Sequence, residues 1–434
     1  MQWRVRILRV FKTWHILAKI KYPGHSSSMI RLPAVAVFVA GIFCGCSMFH
    51  QNKMTDLAPT LRNCTNKFER VLSSPESFRA QVLISDVVTN RSGVAELKRY
   101  GYRVGAEYFY PASAVKLCAA VAALQAIERL QPASLATDLA DLPMEIALLF
   151  PGDAPQVTDA SNVQGGCITV AHEMRKIALV SDNQAFNRLY DLVGHEQLNR
   201  AMHDLGLRSL VINHRLSETR TIPDMQASAA VTFRVPHGEP ILVPARSSKL
   251  MLTNDARCLL VGNSYMKGKG IVPVPMDFST RNGISLADLQ DLLVKIARPD
   301  IDLGTPGLNL TESHRAKLLQ AMREYPRESE NPIYPAKDFP DEYSKFLLPG
   351  IHRVFPSKTS GERVESTGKI GRAYGFSIEN SFVRNPVNGR AVFVTAVVYT
   401  NEDGVLNDDK YEYETVADPF FADLGELVAT RWLK

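Results

Sequence analysis

The chain has 434 residues, of which 45% are hydrophobic and 22% charged, a composition typical of a globular protein with a sizeable core. Its formal net charge of +5 comes from the N-terminus, because seven of the 50 Lys and Arg residues precede Cys46 and the first acidic residue is Asp56. The remaining 43 basic and 45 acidic residues are nearly balanced, so the charge gives no indication of nucleic-acid binding and we expect no nucleic-acid partner.

Residues 1–45 are predicted to be a leader for export. Residues 32–44 form an apolar run that is shorter than the roughly 20 residues of a membrane-spanning helix and fits the roughly 7–15 residues of a signal-peptide core. The run ends in Gly45-Cys46, which resembles the processing site of bacterial lipoproteins, where the cysteine is lipidated and becomes the N-terminus. We expect an exported cell-envelope protein that is anchored through Cys46 and faces the periplasm. A plain secretory signal and an uncleaved anchor are the alternatives.

The predicted elements begin after a polar tether at residues 46–75. β-Branched residues at 80–88 predict a strand, and a second extended piece ends at the aromatic residues 108–110. Residues 113–130 are helix formers that are apolar on nearly all sides, which predicts a buried helix. The other predicted elements are helices at 169–179, at 184–193, after Ser285 and at 419–432, and strands at 373–383 and 390–400.

Strands at both ends of the chain, with helices between them, predict an α/β (α+β) fold. We expect one domain at residues 76–434, with an antiparallel sheet built from both chain ends and flanked by helices. The sheet is expected from residues 76–110 and 350–434, and the helical part from 111–350. An inserted, mainly helical subdomain is expected within it at about 225–350.

Four cysteines follow Cys46, and their wide, irregular spacing matches no zinc site. We therefore expect neither a metal nor a cofactor. Cys118 lies in the apolar helical stretch, which predicts a small buried side chain.

A Ser-x-x-Lys pattern at Ser113 and Lys116 places a hydroxyl and an amine on one face of the first helical turn. Serine becomes a nucleophile when a base takes its proton, and lysine is such a base when burial or neighbouring cations hold it partly neutral. The same pattern begins at Ser264 and at Ser366, but these serines lie in polar, Gly-rich stretches. A helix N-cap serine is the structural alternative for Ser113.

A second motif, Ser181-Asp182-Asn183, follows between two predicted helices. The order and spacing of the two motifs, together with residues 177–194, resemble the class A β-lactamase and penicillin-binding-protein superfamily of serine hydrolases. Residues 225–350 add a resemblance to a β-lactamase-like subgroup of undefined substrate. The fold that this resemblance implies is the β-lactamase-like α+β fold.

The resemblance also implies a third motif, Lys-Thr/Ser-Gly, on an edge strand that faces the serine. Lys369-Ile370-Gly371 is followed by the predicted strand pair, which is the family's order. The alternative is Lys358 in the segment 358–361, which reads Lys-Thr-Ser-Gly. This segment has the hydroxyl next to the lysine, but it contains one residue more than the motif before the glycine. We favour Lys369 and keep Lys358 as the alternative. Ile370 departs from the family because it offers no hydroxyl to a substrate carboxylate.

By this resemblance the reaction is a two-step acyl transfer. Ser113 attacks a carbonyl with Lys116 as its base, and Ser181 relays a proton to the leaving nitrogen. Asn183 positions Lys116 and the substrate amide, while Lys369 supplies positive charge near Ser181.

Two further parts of the machinery are implied by the resemblance. The backbone N–H groups of Ser113 and Arg372, the residue after Gly371, form the oxyanion hole. Glu218 is the candidate carboxylate that activates the water for deacylation. If the segment is instead aligned with the family on Arg215, Arg220 falls at the position of this glutamate.

The expected function is therefore that of an exported serine hydrolase that forms an acyl-enzyme through Ser113. β-Lactam-like or peptidoglycan D-Ala-type amides are the expected substrates, so the partners are a small-molecule or peptidoglycan-derived substrate and the membrane. A D,D-peptidase or esterase is one alternative. A non-catalytic cell-envelope binding or sensor module on the same fold is another.

Overall fold

The computed structural model describes residues 54–64, 66–356 and 362–434. The predicted leader, Cys46 and the alternative lysine Lys358 lie outside the described residues. Within those ranges, every helix is too short or too polar to cross a bilayer.

The strands are numbered here in chain order. They are β1 (Thr55–Asp56), β2 (Gln81–Thr89), β3 (Ala95–Tyr102), β4 (Met144–Ile146), β5 (Ala227–Ser228), β6 (Val231–Phe233), β7 (Ile241–Val243), β8 (Arg246–Ser247), β9 (Leu260–Val261), β10 (Ser264–Lys267), β11 (Gly270–Val272), β12 (Met276–Asp277), β13 (Glu365–Gly368), β14 (Gly371–Ala373), β15 (Phe376–Arg384), β16 (Ala391–Tyr399) and β17 (Val405–Leu406).

The α-helices are numbered in the same way. They are α1 (Ala58–Arg62), α2 (Glu69–Leu72), α3 (Lys116–Leu130), α4 (Val170–Val180), α5 (Asn183–Val193), α6 (His195–Asp204), α7 (Ile222–Gln226), α8 (Leu286–Ala297), α9 (Glu312–Arg323), α10 (Leu348–Val354) and α11 (Asp418–Val428).

The central sheet joins strands from both ends of the chain in the order β1-β3-β2-β16-β15-β13, with β14 also paired to β15. β1 runs parallel to β3, and the other pairs are antiparallel. Every residue of β16 is buried, as expected for a central strand that is covered on both faces. The predicted fold class, an antiparallel sheet built from both chain ends and flanked by helices, is confirmed.

Each face of the sheet carries its own apolar core. On one face the core contains α3, which is buried along most of its length, together with apolar residues of α4, α5 and α8. Cys118 of α3 is fully buried there, as predicted. On the other face, α10 and α11 pack with the N-terminal segment.

The prediction of a tether at 46–75 is wrong for its described part. α1 and α2 carry Leu61 and Val71 into the second core, and Phe68 between them is only 1% exposed. The Phe68 ring packs edge-on against Phe420 with their centroids 5.7 Å apart. Because both helices are shorter than two turns, their few apolar residues show no period that the sequence could reveal.

Residues 225–350, predicted as a mainly helical insertion, contain both short strands and helices. Residues 227–277 contain the short strands β5 to β12, and these are too brief to show an alternating pattern. The following helix α8 belongs to the core, because Gln290 is fully buried and donates to Leu83 O and Thr395 Oγ1, both at 3.0 Å. The inserted strands leave the core at Val211 and return at Gly283, which pair as an antiparallel bridge.

Candidate active site

Ser113 lies in a short 3-10 turn, Ala112–Val115, that leads directly into α3. Ala112 has a φ of 49°, a left-handed conformation that residues with a Cβ adopt rarely and that marks a strained turn. The other two Ser-x-x-Lys serines, Ser264 and Ser366, lie on strands β10 and β13. Only Ser113 among these three therefore stands at the start of a buried helix.

Ser181 brings the two predicted catalytic lysines together. It ends α4 with a left-handed φ of 61°, which turns its side chain towards α3 and β14. Lys369 Nζ donates to Ser181 Oγ at 2.8 Å, and Lys116 Nζ lies 3.3 Å from the same oxygen and also donates to the Ser181 carbonyl. Both lysines are at most 2% exposed. Three separate segments of the chain thus meet at one hydroxyl.

Burial makes both amines easier to deprotonate. It lowers the pKa of Lys116 to about 7, against the opposing effect of the Asp182 carboxylate. Burial, together with the positive charge of Lys116, holds the pKa of Lys369 well below its usual range, while Glu379 opposes this shift. Two ammonium groups this close in a dry site do not both keep their protons at neutral pH. We therefore expect one of the two amines to be neutral at neutral pH, which is the form that a base requires.

Gly371 allows β14 to approach the Ser113 turn very closely. A Cβ at this position would lie 2.5 Å from Pro111 O, 2.9 Å from Ala114 N and 3.0 Å from Ser113 N. Since no other residue fits here without moving the backbone, glycine is required by the close approach. The approach puts the backbone of β14 next to the Ser113 N–H, where an oxyanion hole is expected.

The Arg372 side chain is held at the edge of the site by several contacts. Its guanidinium carbon lies 4.3 Å from the Phe346 ring centroid and 4.7 Å from that of Tyr413. Nη2 donates to Asp418, and Nε donates to Ser377 Oγ at 3.1 Å. Its charge is therefore already paired, and the side chain acts as a wall of the site.

Asn183, the first residue of α5, lines the same cavity as Ser113. Its Nδ2 donates to Ser217 Oγ at 2.6 Å. The expected contact with Lys116 is thus replaced by a contact that ties the start of α5 to the loop that follows α6.

Glu218 lies on that loop and lines the cavity that contains Ser113. Its carboxylate accepts hydrogen bonds from Asn187 Nδ2 at 2.9 Å and from Arg220 Nε at 3.1 Å. Arg215 is buried and paired with Asp191, so it anchors the loop from beneath. Of the two alternatives for the water-holding position, Glu218 faces the cavity and Arg220 pairs outside it.

A buried ionic cluster supports the turn that carries Ser181. Lys176 Nζ lies 2.7 Å from Asp159 and 3.4 Å from Asp182, and Arg188 lies 2.6 Å from Asp159 and 3.1 Å from Glu173. Asp159, Glu173 and a neighbouring histidine are close enough to hold a metal ion. The two basic side chains already neutralise these carboxylates, so the cluster fits a structural role better than a metal site.

Two cavities meet at Ser113. The larger, here called the Glu218 cavity, has a volume of about 590 Å³ and is lined by Tyr110, Ala112, Ser113, Asn183, residues 214–219, Arg281, residues 372–374, Asn407, Asp409, Tyr411 and Tyr413. The smaller, here called the Ser181 cavity, has a volume of about 450 Å³ and is lined by Ser113, Val180, Ser181, Asn183, Glu342, Tyr343, Phe346, Pro349, Ile370, Arg372 and Asp418. Ser113 therefore lines both cavities.

The sequence predicts no role for several of these lining residues. Tyr110 stacks on His214 with ring centroids 6.2 Å apart and meets Tyr374 edge-on at 5.2 Å. The run of aromatic residues just before Ser113 was a usable signal for this wall. Arg281 has no such signal, because it lies far from Ser113 in the chain, at the end of the inserted strands.

A model of the β-lactamase enzyme family matches residues 66–253. The matched segment contains the predicted catalytic residues Ser113, Lys116, Ser181, Asn183 and Glu218. Residues 66–253 are thus similar to the β-lactamase enzyme family. The superfamily expected from the first two motifs is thereby confirmed, and Lys369 lies beyond the matched segment.

The chain is also similar to solved structures at low sequence identity. A β-lactamase from Xanthomonas campestris shares 15% identity with a TM-score of 0.45, over 87% of this chain and 99% of that one. A class A β-lactamase from Clostridium kluyveri shares 14% identity with a TM-score of 0.44, over 83% and 96%. A PBP-A variant, solved as an acyl-enzyme with penicillin G, shares 16% identity with a TM-score of 0.45, over 86% and 96%. Among curated proteins, none matches the chain.

Replacing Gly371 by alanine tests the close approach of β14 to Ser113. The added Cβ forces the two backbones apart, and a displacement of this kind lowers reaction rates by roughly 100-fold. We expect Gly371→Ala to remain folded but to lose rapid labelling by a serine-directed acylating probe. Gly307→Ala is the matched control, because a Cβ at Gly307 meets nothing within 4 Å. Equal labelling of both variants would contradict the oxyanion hole proposed here.

The pH dependence of acylation tests Lys116 as the base. Acylation needs the neutral amine, so its rate rises with pH and is half-maximal near the Lys116 pKa of about 7. Asp182→Asn removes the charge that stabilises protonated Lys116, so the midpoint moves to lower pH. Asparagine preserves the cap that Asp182 makes to Ala185 N at 2.8 Å. The measurement is the labelling rate from acidic to mildly alkaline pH, so that both sides of the midpoint are covered, with Asp141→Asn as a control. A midpoint that stays in place would exclude Lys116 as the titrating base.

Proposed function

We propose that this protein is an exported serine hydrolase that forms an acyl-enzyme through Ser113. The observation that carries the proposal is the partly buried Ser181 hydroxyl between the buried amines of Lys116 and Lys369, in a cavity that Ser113 also lines. This arrangement supplies a nucleophile, a neutral amine and a proton relay at one point. The proposed substrates are β-lactam-like or peptidoglycan-derived D-Ala-type amides.

In the proposed acylation, Ser113 Oγ attacks the substrate carbonyl while its proton passes to the neutral amine of Lys116. The carbonyl oxygen becomes negatively charged and accepts hydrogen bonds from the backbone N–H groups of Ser113 and Arg372. When the C–N bond breaks, Ser181 gives its proton to the leaving nitrogen and regains one from the protonated lysine. The products of this step are the acyl-enzyme and a free amine, with all protons accounted for.

In this proposal, two different parts of the substrate occupy the two cavities. Ser181 must reach the leaving nitrogen, so the leaving group lies in the Ser181 cavity. The acyl portion then occupies the Glu218 cavity, where it remains attached to Ser113. Ile370 borders the Ser181 cavity without offering a hydroxyl to a carboxylate on the leaving side.

Release of the acyl group requires a water molecule on the Glu218 side. Glu218 borders the cavity that the acyl group occupies and is oriented by Asn187 and Arg220. We propose Glu218 as the base that takes a proton from this water.

We propose that the protein acts outside the cytoplasm. The support is the leader pattern, with its short apolar core followed by Gly45-Cys46. A lipid attached to Cys46 would hold the hydrolase at the membrane, near peptidoglycan-derived substrates.

Labelling with a fluorescent penicillin tests the proposed function. We expect the wild-type protein to form a covalent adduct whose mass shift maps to the peptide containing Ser113, and Ser113→Ala to form none. Ser264→Ala, which alters a Ser-x-x-Lys serine on β10, is the matched control and should label normally. If penicillin and ester-type acylating probes all leave Ser113 unmodified, the hydrolase proposal fails and a binding module remains.

The lifetime of the adduct tests the role of Glu218. Glutamine keeps the acceptor for Asn187 but cannot take a proton, so we expect Glu218→Gln to acylate normally and to release product at least ~100-fold more slowly. The measurement is the decay of the labelled protein after excess probe is removed. Unchanged decay would assign deacylation to another group. A wild-type adduct that already persists would instead favour a penicillin-binding D,D-peptidase.

A further inference from the structure

The charged groups that line the Glu218 cavity are mostly neutralised by protein partners. Arg215 is paired with Asp191, Glu218 with Arg220, and Arg372 with Asp418. Burial lowers the pKa of His214 to about 4, so this side chain is neutral. The two remaining charged residues that line the cavity are Arg281 and Asp409.

Arg281 has no partner for its guanidinium. Across the described residues, neither a hydrogen bond nor an ion pair engages this group, although it lines the same cavity as Ser113. A partly buried guanidinium presents several donors in a fixed plane and matches the two oxygens of a carboxylate. An unpaired cation at such a site is a candidate for ligand binding.

The backbone around Arg281 is held rigidly in place. Its carbonyl accepts a hydrogen bond from Asn254 Nδ2 at 2.8 Å, and its N–H donates to Phe278 O at 3.1 Å. The next residue, Asn282, is fully buried and accepts from Asn213 N at 2.8 Å while donating to His214 O at 3.1 Å. The side chain therefore starts from a fixed point, which reduces the entropy lost when it binds a ligand.

The apolar surroundings of Arg281 strengthen its attraction for a negatively charged group. Tyr110 is 4% exposed and Phe278 is fully buried, and their rings lie 5.6 Å apart beneath this part of the cavity. Such apolar walls reduce the local dielectric constant and so strengthen the attraction between two opposite charges. Asp409, in contrast, is exposed on the loop after β17, where water weakens its field.

We infer that Arg281 binds a carboxylate on the acyl portion of the substrate. The inference rests on the proposed function, because it is the acyl-enzyme that places the acyl portion in the Glu218 cavity. It narrows the substrate class to amides whose acyl side carries a negative charge. This preference for a negatively charged acyl side would come from the inserted segment, because Arg281 lies close to the point where that segment rejoins the core.

Three penicillins that differ at a single position test this inference. Benzylpenicillin, ampicillin and carbenicillin carry a hydrogen, an ammonium group and a carboxylate, respectively, on the α-carbon of the acyl side chain. Their acylation rates are measured by competition with a fluorescent penicillin, in the wild type and in Arg281→Gln. Taking ratios between substrates and between proteins cancels the intrinsic reactivity of each penicillin.

We expect Arg281→Gln to lower the carbenicillin-to-benzylpenicillin rate ratio by roughly 10- to 100-fold, the usual range for a hydrogen bond to a charged group. The ampicillin-to-benzylpenicillin ratio should rise, because the repulsion by Arg281 is removed. Arg234→Gln is the matched control, since Arg234 is exposed and paired with Glu145 outside both cavities, and its ratios should equal those of the wild type. Ratios that are unchanged in Arg281→Gln, with benzylpenicillin still acylating Ser113, overturn this inference and leave the proposed function intact.

A binding measurement covers the case in which no penicillin acylates the protein. The non-covalent affinities of the three compounds for Ser113→Ala are measured by calorimetry, with and without Arg281→Gln. Tighter binding of carbenicillin that depends on Arg281 supports the carboxylate site even if the hydrolase proposal fails. Equal affinities, or no binding of carbenicillin at millimolar concentration, overturn it.

Discussion

The site depends on the burial of two lysine amines around one serine hydroxyl. In water, Lys116 and Lys369 would both be protonated and would repel each other. The fold removes water from both amines and offers Ser181 Oγ as a shared partner, with an acceptor carbonyl for each lysine. The cost of burying charge therefore appears as a lowered pKa of both lysines, which makes an ordinary ammonium group easier to deprotonate.

This arrangement requires rigid support from three directions. α3 brings Lys116 and the Ser113 turn from the core between sheet and helices. The left-handed turn at Ser181 is held from behind by Asp182 and its partner Lys176. β14 can lie against the Ser113 turn because Gly371 has no Cβ. Each support uses packing or charge within the interior, so the reactive groups stay in place without a bound ligand.

The segment between Val211 and Gly283, which pair as a bridge, lines the cavity next to Ser113. Its strands β6 and β10 also pair with β4 and β17 outside the segment. The two ends of this segment supply Glu218 and Arg281 to one cavity. In the proposed function, the reaction centre is thus built by the core and the specificity by a loop, a division common among enzymes.

The sequence by itself determined the elements whose residues are near each other in the chain. It predicted the buried helix after Ser113 and the strand pair near the C-terminus, because each depends on local pattern. It could not reveal that residues 55–72 pack on the sheet or that α8 is a core helix, since their partners lie hundreds of residues away. Nor could it show that Arg281 lines the same cavity as Ser113 and has no ion-pair partner among the described residues. Burial, charge pairing and cavity shape arise only when distant segments meet, and tertiary structure alone decided them.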